Sequence, residues 1–279
     1  MKTMNQHNRF GLPVLFVVLL IFFAGCDDKA STNPQEEAPE IPPLSTFLMD
    51  FNSFDTTAAL PKINGNTIQQ QNANWRWAGF KVGVWNVVIT VNLAIPVAAF
   101  VESFKHEPVQ QSDGSWVWAY NFGIGNSAKL RAFAENNEIN WEMRITKPNQ
   151  YTDFLWFTGV SNLTATEGTW QLNFSPNDPK PYIDILWHRN PQQGTADVRY
   201  TNVIPNNPGN GGYIFYGITN NSPFNAFYDI WNVELNNLTN IEWNRSDFHG
   251  NIIDPMHFGD ADRHCWDTLD NGLIDITCQ

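Results

Sequence analysis

The sequence predicts a mainly β protein: a large curled antiparallel meander, closed as a barrel or open as a half-barrel, packed on one apolar helix. Three observations carry that prediction. From Trp116 onward the side-chain pattern has period two, as in a strand with one dry and one wet face. The stretches between the alternating runs are turn chemistry, and the chain holds 34 Asn with 14% aromatic residues, which favours strands and turns over helices. The run from Val82 to Val101 is without charge over twenty positions and is the one apolar element long enough to fill a curled sheet.

At the amino terminus, Lys2 and Arg9 precede an apolar run from Val14 to Phe23 that ends in Ala24, Gly25 and Cys26. The run is short for a membrane span and has the layout of a secretory signal with a cleavage site. The small pair directly before a cysteine resembles the lipobox of bacterial lipoproteins, with Phe23 where Leu is commoner. The resemblance covers about the first tenth of the chain. It implies that residues 1–25 are removed and that Cys26 is acylated as the mature first residue. Asp27 and Asp28 resemble an inner-membrane retention signal in enteric-type sorting, and an acidic surface-export signal in other outer-membrane bacteria. The outer membrane is the expected location.

Residues 26–46, with four prolines and three glutamates, have few apolar groups to offset the cost of ordering and are expected to be a flexible tether. A single β-rich domain is expected over 47–279, with packing beginning near Phe47. On composition alone Val82–Val101 has the length of a transmembrane helix. Against that, Asn86, Asn92 and Pro96 interrupt it, Lys81, Glu102 and Lys105 bracket it, and a span would leave Cys265 and Cys278 in the cytosol. The expectation is a buried helix over about 82–104, broken or kinked near Pro96. Val87, Val88, Val91, Ile95, Val97 and Phe100 should pack on the dry face of the sheet.

The strands follow in order. After Asp113-Gly114, a hairpin signal, Trp116, Trp118, Tyr120 and Phe122 share one face. Leu130–Glu135 is separated by Asn136-Asn137 from the clearest strand, whose apolar positions Ile139, Trp141, Met143 and Ile145 alternate with polar ones. Further strands are expected at 154–160, 169–174, 182–189, 195–203, 213–219, 226–232 and 239–245. Ile185-x-Trp187-x-Arg189 and Ile241-x-Trp243-x-Arg245 echo each other as two equivalent strands with inward Trp. The predicted element order is similar to that of lipoprotein carriers and lipocalin-like proteins, with no motif behind the likeness.

Charge and cysteines bound the function. Removing residues 1–25 takes away two cations and no acid, so the formal charge goes from −12 to −14. So acidic a chain is repelled by phosphate backbones and anionic headgroups, which argues against nucleic-acid partners and against a peripheral electrostatic membrane contact. With Cys26 acylated, Cys265 and Cys278 remain as an even pair in an exported protein and are expected to form a disulfide.

The densest polar cluster is Asp247, His249, Asp254, His257, Asp260, Asp262, His264, Asp267, Asp270 and Asp275. It has metal-ligand residue types but no zinc or EF-hand spacing, and is read as a solvated, disulfide-clipped terminal segment with no metal or other cofactor. No nucleophile elbow is present. Glu142, Asp184 and Glu242, on strands beside Trp, are the candidate carboxylates of a glycan cleft, in which one of them would need another carboxylate about 5–10 Å away. The expected function is therefore a lipid-anchored cell-envelope β-domain that binds or scaffolds, with lipid or another apolar ligand in the concavity. A hydrolase acting on glycan or lipid and a carbohydrate-binding surface are the alternatives, the latter because twelve Trp lie among many Asn.

Overall fold

The structure, a computed structural model, describes residues 37–49, 73–269 and 272–279. The expectations for residues 1–36, acylation of Cys26 among them, fall outside these residues, as does Asp270. The chain divides into two units, Met1–Glu37 and Ala38–Gln279, and the fold is that of the second.

Among the described residues fourteen strands form one antiparallel sheet in which spatial order equals chain order. They are β1 (Val109–Gln110), β2 (Trp116–Phe122), β3 (Asn126–Glu135), β4 (Glu138–Lys147), β5 (Tyr151–Asn162), β6 (Glu167–Ser175), β7 (Asp178–Asn190), β8 (Thr195–Asn202), β9 (Tyr213–Ile218), β10 (Ala226–Asn232), β11 (Asn237–Trp243), β12 (Gly250–Ile253), β13 (His264–Leu269) and β14 (Gly272–Ile276). Short turns permit this order, and their chemistry is specific. Asn136 and Asn137 both take positive φ, 54° and 66°, as a two-residue type I′ hairpin turn requires.

Among the described residues two α-helices precede the sheet, α1 (Ala73–Asn92) and α2 (Ala94–Ser103), bent by 70° at the break between them. Here α2 packs on β2, β3 and β4, while α1 packs on β12, β13 and β14. In a flat sheet β2 and β14 would lie about 58 Å apart at ~4.8 Å per strand. The helices, about 30 and 15 Å long, could not reach both even in line. The sheet therefore curls around them as an open half-barrel with β1 and β14 at its edges.

The dry face is the concave one. Trp116, Trp118, Tyr120 and Phe122 are all buried on it, as are Trp187 and Trp243 of the two echoing strands. Space there is made by glycine directly opposite tryptophan. Gly159 pairs with Trp170 and Gly168 with Trp187, and a Cβ at Gly159 would lie 2.1 Å from the Trp170 ring. The ring can fold over its neighbour only because that neighbour has no side chain.

Three expectations need correction. The helical segment is broken into two as expected, but it begins by residue 73 and not near 82. The break falls at Leu93, whose φ and ψ are −100° and 6°, and not at Pro96. The cause is still Pro96: its ring conflicts with the carbonyl four residues earlier, that of Asn92, while its missing N–H costs nothing in the first turn of α2. Phe100 is buried as expected, but Val87 and Val91 are 60% and 69% exposed, because α1 turns only one face to the sheet. Packing also starts earlier than Phe47. Ala38, Ile41 and Leu44, assigned to the tether from the sequence, lie against the core. Phe47 sits inside the concavity 5.0 Å from the Phe100 ring and 4.8 Å from that of Phe157, and Tyr200 donates to its carbonyl at 3.1 Å.

Candidate functional site

The predicted site residues are best followed along α1, whose first half is fixed to the end of the sheet by the C-terminal stretch. Asp254 is buried beneath it, 1% exposed. Its carboxylate accepts from Trp77 Nε1 at 2.8 Å, Asn237 Nδ2 at 2.7 Å and Thr239 Oγ1 at 3.1 Å, and Lys81 Nζ stands 3.4 Å away. Burial would raise its pKa, but these donors and the Lys81 charge together hold it below the usual carboxylate value. His257, on α3 (Pro255–Phe258), stacks on Trp77 at 3.8 Å between ring centroids. Burial holds its pKa down, with Asp254 opposing and the charges of Lys81 and His264 assisting. Asp275 on β14 accepts from the backbone amides of Ala73 and Asn74 at 2.9 and 3.0 Å, as a capping carboxylate does at a helix N-terminus. Asn74 donates in turn to the Cys265 carbonyl at 3.0 Å.

The C-terminal stretch is therefore not a solvated tail. It supplies β12, β13 and β14, and two of its acids hold α1. His249 bonds Asp247, and His264 Nε2 lies 2.9 Å from Asp260 Oδ1. Asp262 donates its backbone amide to Asp260 Oδ1, and the Asp267 carboxylate accepts from the next amide. Among the described residues no three His, Cys, Asp or Glu come together so as to hold a metal ion. Cys265 and Cys278 lie with Cα atoms 5.3 Å apart and sulfurs at bonding distance, joining β13 to the end of the chain.

The three strand carboxylates are on the convex, wet face and form no pair. Register runs from Glu142 through Thr158 and Gln171 to Asp184, so the first two are three strands apart, about 14 Å. Asp184 accepts from Gln171 at 3.0 Å, while Glu242, four strands further on, faces Arg263 at 3.4 Å.

The second half of α1 leaves a gap. Between it and the strands β7 to β10 lies an open groove of about 390 Å³. Its helix side is Phe80, Lys81, Val84, Trp85 and Val88. Its sheet side is chiefly Tyr182, Ile183, Ile230 and Trp231, with Asn202, Asn232 and Glu234 as polar groups. The size and the mostly apolar lining with a few polar groups are those of small-molecule sites. Nine of the twelve Trp are buried in the core. The three that are only partly buried, Trp77, Trp85 and Trp231, lie on α1 or face it, and two of them line the groove. The tryptophans thus form no ring platform on the convex face.

Sequence reasoning expected an apolar ligand in the concavity but named none of the groove's lining residues, because the groove depends on the helix standing off the sheet, which no local pattern encodes. Trp85 and Trp231, 146 positions apart in the chain, carry no shared signal. No protein-family model, curated protein or solved structure matches the chain.

Proposed function

We propose that the chain is a lipid-anchored protein of the bacterial cell envelope, tethered through Cys26 to the outer membrane, whose β-domain binds an apolar molecule in the groove between α1 and strands β7 to β10. The observation that carries this reading is the groove itself: about 390 Å³, lined by aromatic and aliphatic side chains, with its amides at Asn202 and Asn232. Such a lining gains from burying an acyl chain, at roughly 25 cal/mol per Å² of apolar surface, and has polar groups for one hydrated end. Lys81 is not free to pair with a ligand carboxylate, since Asp254 already holds it. A neutral or zwitterionic head fits better than an anionic one.

The test is native mass spectrometry of protein purified from membranes, followed by solvent extraction. The expected result is a stoichiometric acyl-bearing molecule, or uptake of added monoacylglycerol by protein stripped of lipid. Protein that copurifies with none and takes up none would overturn the binding role. Acylation is tested separately by labelling with a clickable fatty acid, which should tag the wild type and leave Cys26→Ser untagged.

A further inference from the structure

Three valines on α1 are exposed, with no cover among the described residues. Val84, Val87 and Val91 are 50%, 60% and 69% exposed. Their spacing of three and four residues places them one above another on a single helix face. The other large apolar side chains with comparable exposure among the described residues are scattered over the surface, Ile124, Leu163, Leu235 and Met256 for example. Scattered residues are ordinary, whereas a row needs an occupant.

We infer that this face of α1 rests on the lipid surface to which the chain is tethered, an inference that depends on the proposed acylation of Cys26. Eleven residues lie between Cys26 and Ala38, the first residue of the folded unit, which makes twelve residue steps. At no more than about 3.6 Å per residue they hold the domain within roughly 43 Å of the bilayer. Some face of the domain must therefore meet lipid repeatedly. Charge selects this one: in a chain whose formal charge after processing at Cys26 is −14, α1 contains no acidic residue over its whole length, only Arg76 and Lys81. It is the helix that anionic headgroups repel least. Valine methyls, not cations, make the contact, so it withstands salt that would screen an electrostatic attachment. Val84 belongs to the row and also lines the groove. The groove thus opens beside the lipid contact, and an acyl chain reaches it without crossing bulk water.

The experiment uses full-length acylated protein reconstituted on phosphatidylcholine vesicles. An environment-sensitive fluorophore is attached at Val87→Cys or, as a control on the convex face, at Leu186→Cys. Both positions are exposed, and circular dichroism checks that each variant folds. The inference predicts a blue-shifted probe at position 87, quenched several-fold more by nitroxide-labelled lipid than at 186, with little change at high salt. Equal, water-like emission at both positions in protein that floats with the vesicles overturns the inference and leaves the anchor standing. A blue shift at 87 without lipid quenching, together with a dimer in sedimentation, assigns the row to a second copy and also overturns it. Protein that fails to float refutes the anchor, and the inference falls with it.

Discussion

The two halves of α1 share one helix and one backbone geometry, yet they are held in opposite ways. Over Ala73–Val82 the helix is bound by two carboxylates from the far end of the chain, by a stacked histidine and by the buried Trp75, Ala78, Gly79 and Val82. Over Val84–Asn92 only Ile89 is fully buried, the groove runs beneath one side and Val87 and Val91 face outward. The difference teaches how a small amphipathic imbalance becomes a site. A helix that is apolar nearly all round must be covered nearly all round. The sheet covers one face of it, so the uncovered half presents apolar surface both to a cavity and to the outside. Polar partners fix position at one end, which lets the other end stand off.

Removing Asp254 should break this contrast most severely. Asp254→Ala strands Lys81 and three hydrogen-bond donors and is expected to destabilise the fold by about 3–5 kcal/mol, measured by urea unfolding. Its acid dependence has a fixed sign. The folded pKa lies below the unfolded value of about 3.8, so the contribution is present above that pH and is lost as pH falls through the lower folded value. Asp275→Ala removes a helix cap and should cost about 1 kcal/mol in the same assay. His257 gives a smaller effect with its own window. Its folded pKa lies below the unfolded value of about 6.5, so its contribution is complete above that pH and declines as pH falls below it. His257→Phe keeps the stack on Trp77 and should remove that part of the pH dependence. Val87→Asp, on the unclamped half, should change stability by no more than about 0.5 kcal/mol. A large loss there would show that the two halves do not differ as described.

Much of the sheet was legible in the sequence because one face of each strand is buried and the period of two is strong from Trp116 to Trp243. The last three strands were not. β12 is four residues long, and β13 and β14 carry His264, Asp267 and Asp275 among their apolar positions, so their pattern reads as polar tail. What makes them strands is pairing with β11 and the helix end that Asp275 caps, both contacts of long range. The same limit applies to the site. The cysteine pair was readable by elimination, whereas Asp254 stood in the sequence as one acid among many. Its role depends on Trp77 and Lys81 arriving from 173 or more residues earlier. The carboxylates beside tryptophan looked like a cleft because every amphipathic strand alternates ring and acid, and the curl then turns the rings inward and the acids outward.

The most direct test of the groove as a binding site is amide hydrogen exchange along α1, with and without saturating monoacylglycerol. Ligand in the groove should slow exchange over Phe80–Val91 while Ala73–Gly79, already clamped, changes little. Slowing in both halves alike, or in neither while the protein binds the ligand elsewhere, would contradict the account.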